Sequence, residues 1–199
     1  MIPVNAPDLG DLERQYVNEA LASGWVTSGA FVGRFERAFA AWVGRKHAVA
    51  CSSGTSALWL ALMALRLPAG QRVVTSSYTC EAVAHAAIHA TGHPPVAVDI
   101  SGFDDETWGA RGDQIGLMLA GRFTWNVGAV ILPHVYGTMA RDRLAIEQAC
   151  ARAGVPLIED ASEAHGAAAE GRKAGTFGVV SIFSLRGEKA MWEDELLPT

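Results

Sequence analysis

The stretch AVACSSGTSALWLAL, residues 48–62, sets the reading of this chain. Its first four residues, Ala48 to Cys51, are apolar and predict a short buried strand. Ser52, Ser53 and Gly54 break that run, and Thr55 to Leu62 read as the opening of an apolar helix. This order gathers free backbone N–H groups, small side chains and the positive helix end at one point. Gly54 allows close backbone approach, and Ser52, Ser53 and Thr55 offer hydroxyls. The turn is a candidate phosphate cradle. Taken alone, it is equally an ordinary turn of an α/β protein.

Outward from this stretch the chain alternates. Upstream, residues 8–23 carry Leu9, Leu12, Tyr16, Val17, Ala20 and Leu21 at three- and four-residue spacing, which predicts an amphipathic helix ended by Gly24. Residues 24–29, GWVTSG, read as a loop. Residues 31–43 return to helical period, with Val32, Phe35, Phe39 and Trp42 on one side and Gly44 as the stop. Downstream, apolar runs at 72–75, 95–100, 128–133, 155–158 and 179–185 predict strands. Helical segments at 81–90, 113–120 and 141–153 separate them. Residues 101–112 read as a surface excursion, and residues 166–178 as a small-residue, glycine-punctuated connection. The alternation predicts an α/β fold with a mainly parallel sheet sandwiched by helices. Ligands in such sheets bind outside the carboxyl ends of the strands.

Composition narrows the function. The chain has 199 residues, half of them hydrophobic, enough for one sizeable domain with a real core. Its net charge of −5 is scattered, so no nucleic acid and no anionic membrane is expected as a partner. The longest apolar stretch, residues 57–65, is too short to span a bilayer. The N-terminus lacks a basic run followed by an apolar core, so no signal peptide is expected. Cys51, Cys80 and Cys150 lie far apart without a CxxC, which fits reduced, buried thiols and a cytoplasmic location. His85 and His89 share helical spacing but have no accompanying HExxH, so no metal site is expected.

The chemistry should sit at strand ends. Asp160 closes the run at 155–158, and Lys189 follows the last predicted strand by four residues. Each has a bland reading: a helix cap for the first, a solvated surface charge for the second. Together with the turn at Ser52 to Thr55 they supply what pyridoxal 5'-phosphate (PLP) requires. Amides hold the phosphate, a carboxylate keeps a proton on the pyridine nitrogen, and a lysine forms the Schiff base. A nicotinamide-binding protein fits the fold, but no GxGxxG follows any predicted strand.

The chain resembles the DegT/StrS-type sugar aminotransferases, a branch of the fold-type-I PLP enzymes. The matching segments occur in family order. They are GWVTSGAFVGRFERAFAAWVG (24–44), SSGTSAL (52–58), PPVAVDI (94–100), VILPHVYG (130–137), IEDASEAHGA (158–167) and GTFGVVSIFSLRGEK (175–189). The resemblance implies that the amides of Gly54 and Thr55 and the hydroxyl of Ser184 bind the PLP phosphate. It implies that Asp160 pairs with the pyridinium nitrogen, and that Lys189 is the Schiff-base lysine and proton shuttle. Glu163 falls where the family usually has glutamine, near the ring's hydroxyl edge. Family dehydratases carry histidine in place of the lysine; Lys189 therefore favours transamination. His134 and His165 are expected to be packed or supporting residues near the site.

Two departures stand out. The position where the family has an aromatic residue on the cofactor face is Cys80, in SSYTCEA; Tyr78, two residues away, would face the same side. After Lys189 the family continues with a glycine-rich segment and a C-terminal domain, whereas this chain reads AMWEDELLPT. The expected organisation is a PLP-binding large domain over residues 1–189, without the small domain, and a divergent tail over 190–199. The implied activity is transfer of an amino group from an amino acid, L-glutamate, to a nucleotide-linked keto sugar. The implied assembly is a homodimer, or a pairing with a second chain that supplies the missing C-terminal half. The alternative is a truncated or split member, inactive alone, that acts as a PLP-binding or partner-binding subunit.

Overall fold

Parallel strands covered on both faces are apolar at nearly every position, with successive side chains going to opposite layers. The computed structural model, which describes residues 9–27, 29–101 and 108–186, shows this arrangement. β1 (Arg72–Ser76), β2 (Val96–Val98), β3 (Val127–Pro133) and β4 (Leu157–Asp160) lie in one sheet. Two short strands, β5 (Ala168–Ala169) and β6 (Arg172–Lys173), form a separate antiparallel hairpin. β7 (Val180–Ile182) completes the sheet, whose order is β2-β1-β3-β4-β7 with every pairing parallel. The predicted mainly parallel sheet is thus present.

Residues 51–185 form one compact unit. On one face of its sheet, Val73, Ala129, Ile131 and Ile158 pack against Leu58 and Leu62 of α3 (Gly54–Leu65) and Val83 and Ala86 of α4 (Glu81–Thr91). On the other face, Val74, Val130, Leu132 and Leu157 pack against Ile115 of α5 (Gly112–Leu119) and Ile146 and Cys150 of α6 (Arg143–Ala153). Adjacent residues, such as Val73 and Val74 or Leu157 and Ile158, serve opposite layers, as the two-residue period of a strand requires. Leaving β1, the chain places β2 on one side; it then returns to place β3 on the other. That reversal makes the β1/β3 boundary the topological switch point of the sheet.

The connection at 166–178 holds more structure than its composition indicates. The β5–β6 hairpin is fixed by Arg172, which grips Glu147 through two hydrogen bonds of 2.9 Å and lies over the Phe177 ring at 3.9 Å. Arg143 reaches Glu170 from α6. Gly175 has φ +90°, and a Cβ there would stand 2.6 Å from the Phe183 ring, so only glycine fits.

The second unit holds residues 1–50 and 186–199. Its described part contains α1 (Asp11–Ala22) and α2 (Ala30–Val43). Arg34 lies over both the Tyr16 and Phe31 rings, which meet edge-on at 5.9 Å. The apolar stripe predicted for α1 is present but unburied. One expectation fails here: Ala48 to Cys51 form no strand. Val49 is 71% exposed, and the Ala50 amide donates to the Glu36 carboxylate at 2.9 Å. A strand needs a ladder partner for its amides, and here a side chain takes that place. Two cysteines also depart from the expected burial: Cys51 and Cys80 are exposed, and only Cys150 is buried. Burial pushes the Cys150 thiol up to about 12, which makes it an inert packing group.

Candidate active site

The first turn of α3 is built by Ser53. Its Oγ accepts the Ser56 amide at 3.1 Å, and its carbonyl accepts the Ala57 amide at 3.0 Å. A helix leaves its first four amides without internal partners, and a serine cap satisfies one of them. What remains is specific: among the described residues, the amides of Gly54 and Thr55 donate to no group. The Ser52 hydroxyl pairs with Ser56 Oγ at 3.1 Å, so Ser52 and Ser53 serve the turn itself.

Beside the first of these amides, the Cα of Gly54 borders two hydroxyl-bearing residues. A Cβ built on Gly54 would lie 3.7 Å from Ser162 Oγ and 3.9 Å from the Cβ of Ser184. Ser184, 8% exposed, stands two residues beyond β7. A side chain at position 54 would enter this corner; glycine leaves it open. Paired amides at a positive helix end, hydroxyls and no acidic side chain at the turn form a donor set suited to a phosphate.

Asp160, the last residue of β4, is 6% exposed. Its Oδ1 accepts the Ser162 amide at 3.1 Å, and its backbone carbonyl accepts the His134 amide at 2.9 Å. The carboxylate is therefore held by the same short turn that brings Ser162 to Gly54. Glu163 continues the turn, and its Oε2 accepts the Tyr136 amide at 2.8 Å. The Tyr136 hydroxyl meets that of Tyr78 at 3.0 Å. This hydrogen bond is the main cause that raises the Tyr78 phenol pKa; desolvation and the Tyr136 and Glu163 charges add to it.

Sequence reasoning passed over the residue that holds these pieces together. Glu159 is wholly buried. Its Oε1 accepts the Phe177 and Gly178 amides at 2.5 and 2.7 Å, and its Oε2 accepts the Gly175 amide at 2.9 Å. His134 Nδ1 accepts the Ala140 amide, so Nε2 carries the ring proton and donates to Glu159 Oε2 at 3.1 Å. Desolvation, the largest influence, pushes the Glu159 pKa up. The His134 hydrogen bond and the Gly178 and Gly175 amides outweigh it, and the net shift is downward. The available signal was a glutamate beside Asp160 followed by a glycine-rich connection full of spare amides.

Of the other expected site residues, Cys80 occupies the N-cap position of α4 without a side-chain capping bond and is exposed, and Tyr78 lies two residues before it. His165 packs on Phe183 at 5.4 Å between ring centres. Lys189 lies outside the described residues.

The family model for the DegT/DnrJ/EryC1/StrS aminotransferase family matches residues 7–195. The chain belongs to this family. A GDP-perosamine synthase of Vibrio cholerae is 37% identical over 98% of the chain and 51% of that protein. The solved structure of 3-amino-5-hydroxybenzoic acid synthase superposes with a TM-score of 0.83 at 33% identity, covering 96% of this chain and 48% of that one. A Streptococcus pneumoniae chain, solved in a PLP form and a PMP form, shares the fold at TM-scores of 0.82 and 0.81, with 23% and 21% identity. It is covered to 50% and 49% by 94% of this chain. The chain spans about half the length of the curated relatives it matches. Its fold is the fold-type-I α/β architecture expected of the DegT/DnrJ/EryC1/StrS family.

Proposed function

We propose that this chain carries the cofactor-binding half of a PLP-dependent aminotransferase that moves an amino group from L-glutamate to a nucleotide-linked keto sugar. One observation carries the reading: the Gly54 and Thr55 amides at the start of α3 have no acceptor among the described residues, and Gly54 borders Ser162 and Ser184. The donor set fits a phosphate, and the nearly buried Asp160 carboxylate fits a protonated ring nitrogen. In this reading Gly54, Thr55 and Ser184 hold the phosphate, and Asp160 keeps the pyridine nitrogen protonated. Bound PLP supplies an electron sink for negative charge at the α-carbon of the amino-acid donor. Lys189 would hold the cofactor through its amine and would move a proton at that α-carbon.

The test uses PLP, borohydride and peptide mapping. The expected result is a visible absorption band and a reduced adduct on Lys189, both lost in Lys189→Ala. Adducts scattered over lysines such as Lys46 and Lys173 would overturn the assignment.

A further inference from the structure

We propose that Tyr78, Trp108 and Tyr136 form a binding rim for the hexose ring of the substrate, set over the crevice between β1 and β3; the inference rests on the aminotransferase reading above. Tyr78 lies two residues past the end of β1, and Tyr136 three past the end of β3. Those strands flank the switch point of the sheet, where the connections part to opposite faces and open a crevice. The cluster therefore stands where this architecture binds ligands.

The cluster is built rather than incidental. Tyr136 has φ +54° and Trp108 φ +38°, the left-handed region that bulky residues avoid. Tyr136 is nonetheless 67% exposed, so burial does not explain its strained backbone. The strain is held by the Glu163 carboxylate on its amide and by the phenol pair with Tyr78. Trp108 buttresses Tyr78 at 5.3 Å. The Tyr78 and Tyr136 rings meet at 66° with centres 6.3 Å apart. A flat nucleobase favours a slot between parallel rings. An angled corner of ring faces with two hydroxyls suits a puckered pyranose, which offers C–H faces and hydroxyls together.

Position along the site agrees. The phosphate corner at Gly54 and Ser184, then Asp160, then Glu163, then Tyr136 and Tyr78 form a continuous series of contacts. Glu163, whose carboxylate accepts the Tyr136 amide, joins the aromatic rim to this series.

The experiment titrates the full chain, with PLP added, against GDP-mannose and against GDP by calorimetry. GDP-mannose carries an unreactive hexose, and GDP lacks it. The expected result is binding of GDP-mannose about five- to tenfold tighter than GDP, the size of one or two aromatic contacts. Tyr136→Asn should abolish that preference, because asparagine tolerates the left-handed backbone and removes only the ring. Tyr78→Phe should keep part of it. An equal Lys189 adduct yield in Tyr136→Asn and the parent checks that the variant is folded. Equal binding of GDP and GDP-mannose by the parent, or an unchanged preference in Tyr136→Asn, overturns the rim. A hexose preference without a Lys189 adduct supports the rim and removes the cofactor reading; an adduct without the preference does the reverse.

Discussion

Glu159 and Asp160 are neighbours on β4, share a charge and are both shut away from water, yet their surroundings separate them. Glu159 is enclosed by the chain's own donors: the amides of Gly175, Phe177 and Gly178 and the ring of His134. Asp160 points to the opposite face, into the turn that carries Ser162 toward Gly54. Burial of a carboxylate is therefore no sign of chemistry by itself. Where the donors come from decides. Donors drawn from one connecting loop and a neighbouring strand end mark an anchor, while the Asp160 carboxylate, on the turn beside Gly54, belongs to the proposed site.

The contrast can be broken by substitution. Glu159→Ala leaves four donors facing a void. A cost of about 3–5 kcal/mol in unfolding free energy is expected, the range for removing one partner of a buried charged network. Urea unfolding of the apo chain measures it. Asp160→Asn keeps shape and hydrogen-bonding capacity and should cost under about 1 kcal/mol in the same assay. In the proposed function it should weaken PLP retention by roughly 10- to 100-fold, the worth of one charge-assisted hydrogen bond. Equal stability losses in the two variants would erase the distinction between anchor and site.

The proposed-site side of this contrast rests on residues the sequence singled out, while its anchor side was not legible there, for physical reasons. Asp160, Gly54 and Thr55 stand where short apolar runs meet turn residues, a pattern that local sequence carries. The sheet followed from apolar runs such as GAVILP, residues 128–133, too uniformly hydrophobic for a strand with a wet face. Glu159 was not legible as an anchor because three of its partners are backbone amides 16 to 19 residues downstream, which no side-chain pattern announces, and the fourth, His134, lies 25 residues upstream. Ala48 to Cys51 misled for the opposite reason. Four small apolar residues satisfy the local pattern of a strand, but a ladder is a nonlocal pairing, and the Ala50 amide finds Glu36 instead. Tyr136 hid in VYG, where only the backbone shows that the tyrosine, not just the glycine, is left-handed.

Acid sharpens the anchor side. The Glu159 pKa lies below its ordinary value of 4.5, so the folded state favours its charged form. The stabilisation is complete above about pH 4.5 and is lost as pH falls through the lower, folded value. The parent should lose stability more steeply over that acid window than Glu159→Gln, which cannot titrate there and is already weakened at neutral pH. Urea midpoints at pH 3, 4, 5 and 7 test this. Parallel curves for the two proteins would place the acid sensitivity elsewhere.

The same division between holding the fold and facing a ligand recurs at smaller scale in the turn before α3. Ser53 Oγ accepts the Ser56 amide, while the Gly54 and Thr55 amides donate to no described group. Ser53→Ala removes the cap and should cost about 1 kcal/mol. Ser53→Asp should restore that stability, because aspartate caps as well as serine and its charge favours the positive helix end. It also sets a negative charge beside the proposed phosphate corner. PLP retention should then fall even though the helix is sound. Alanine thus tests the cap and aspartate tests the corner, one residue from the open amides. If Ser53→Asp binds PLP as tightly as the parent, the phosphate sits elsewhere, and the two amides are merely a frayed helix end.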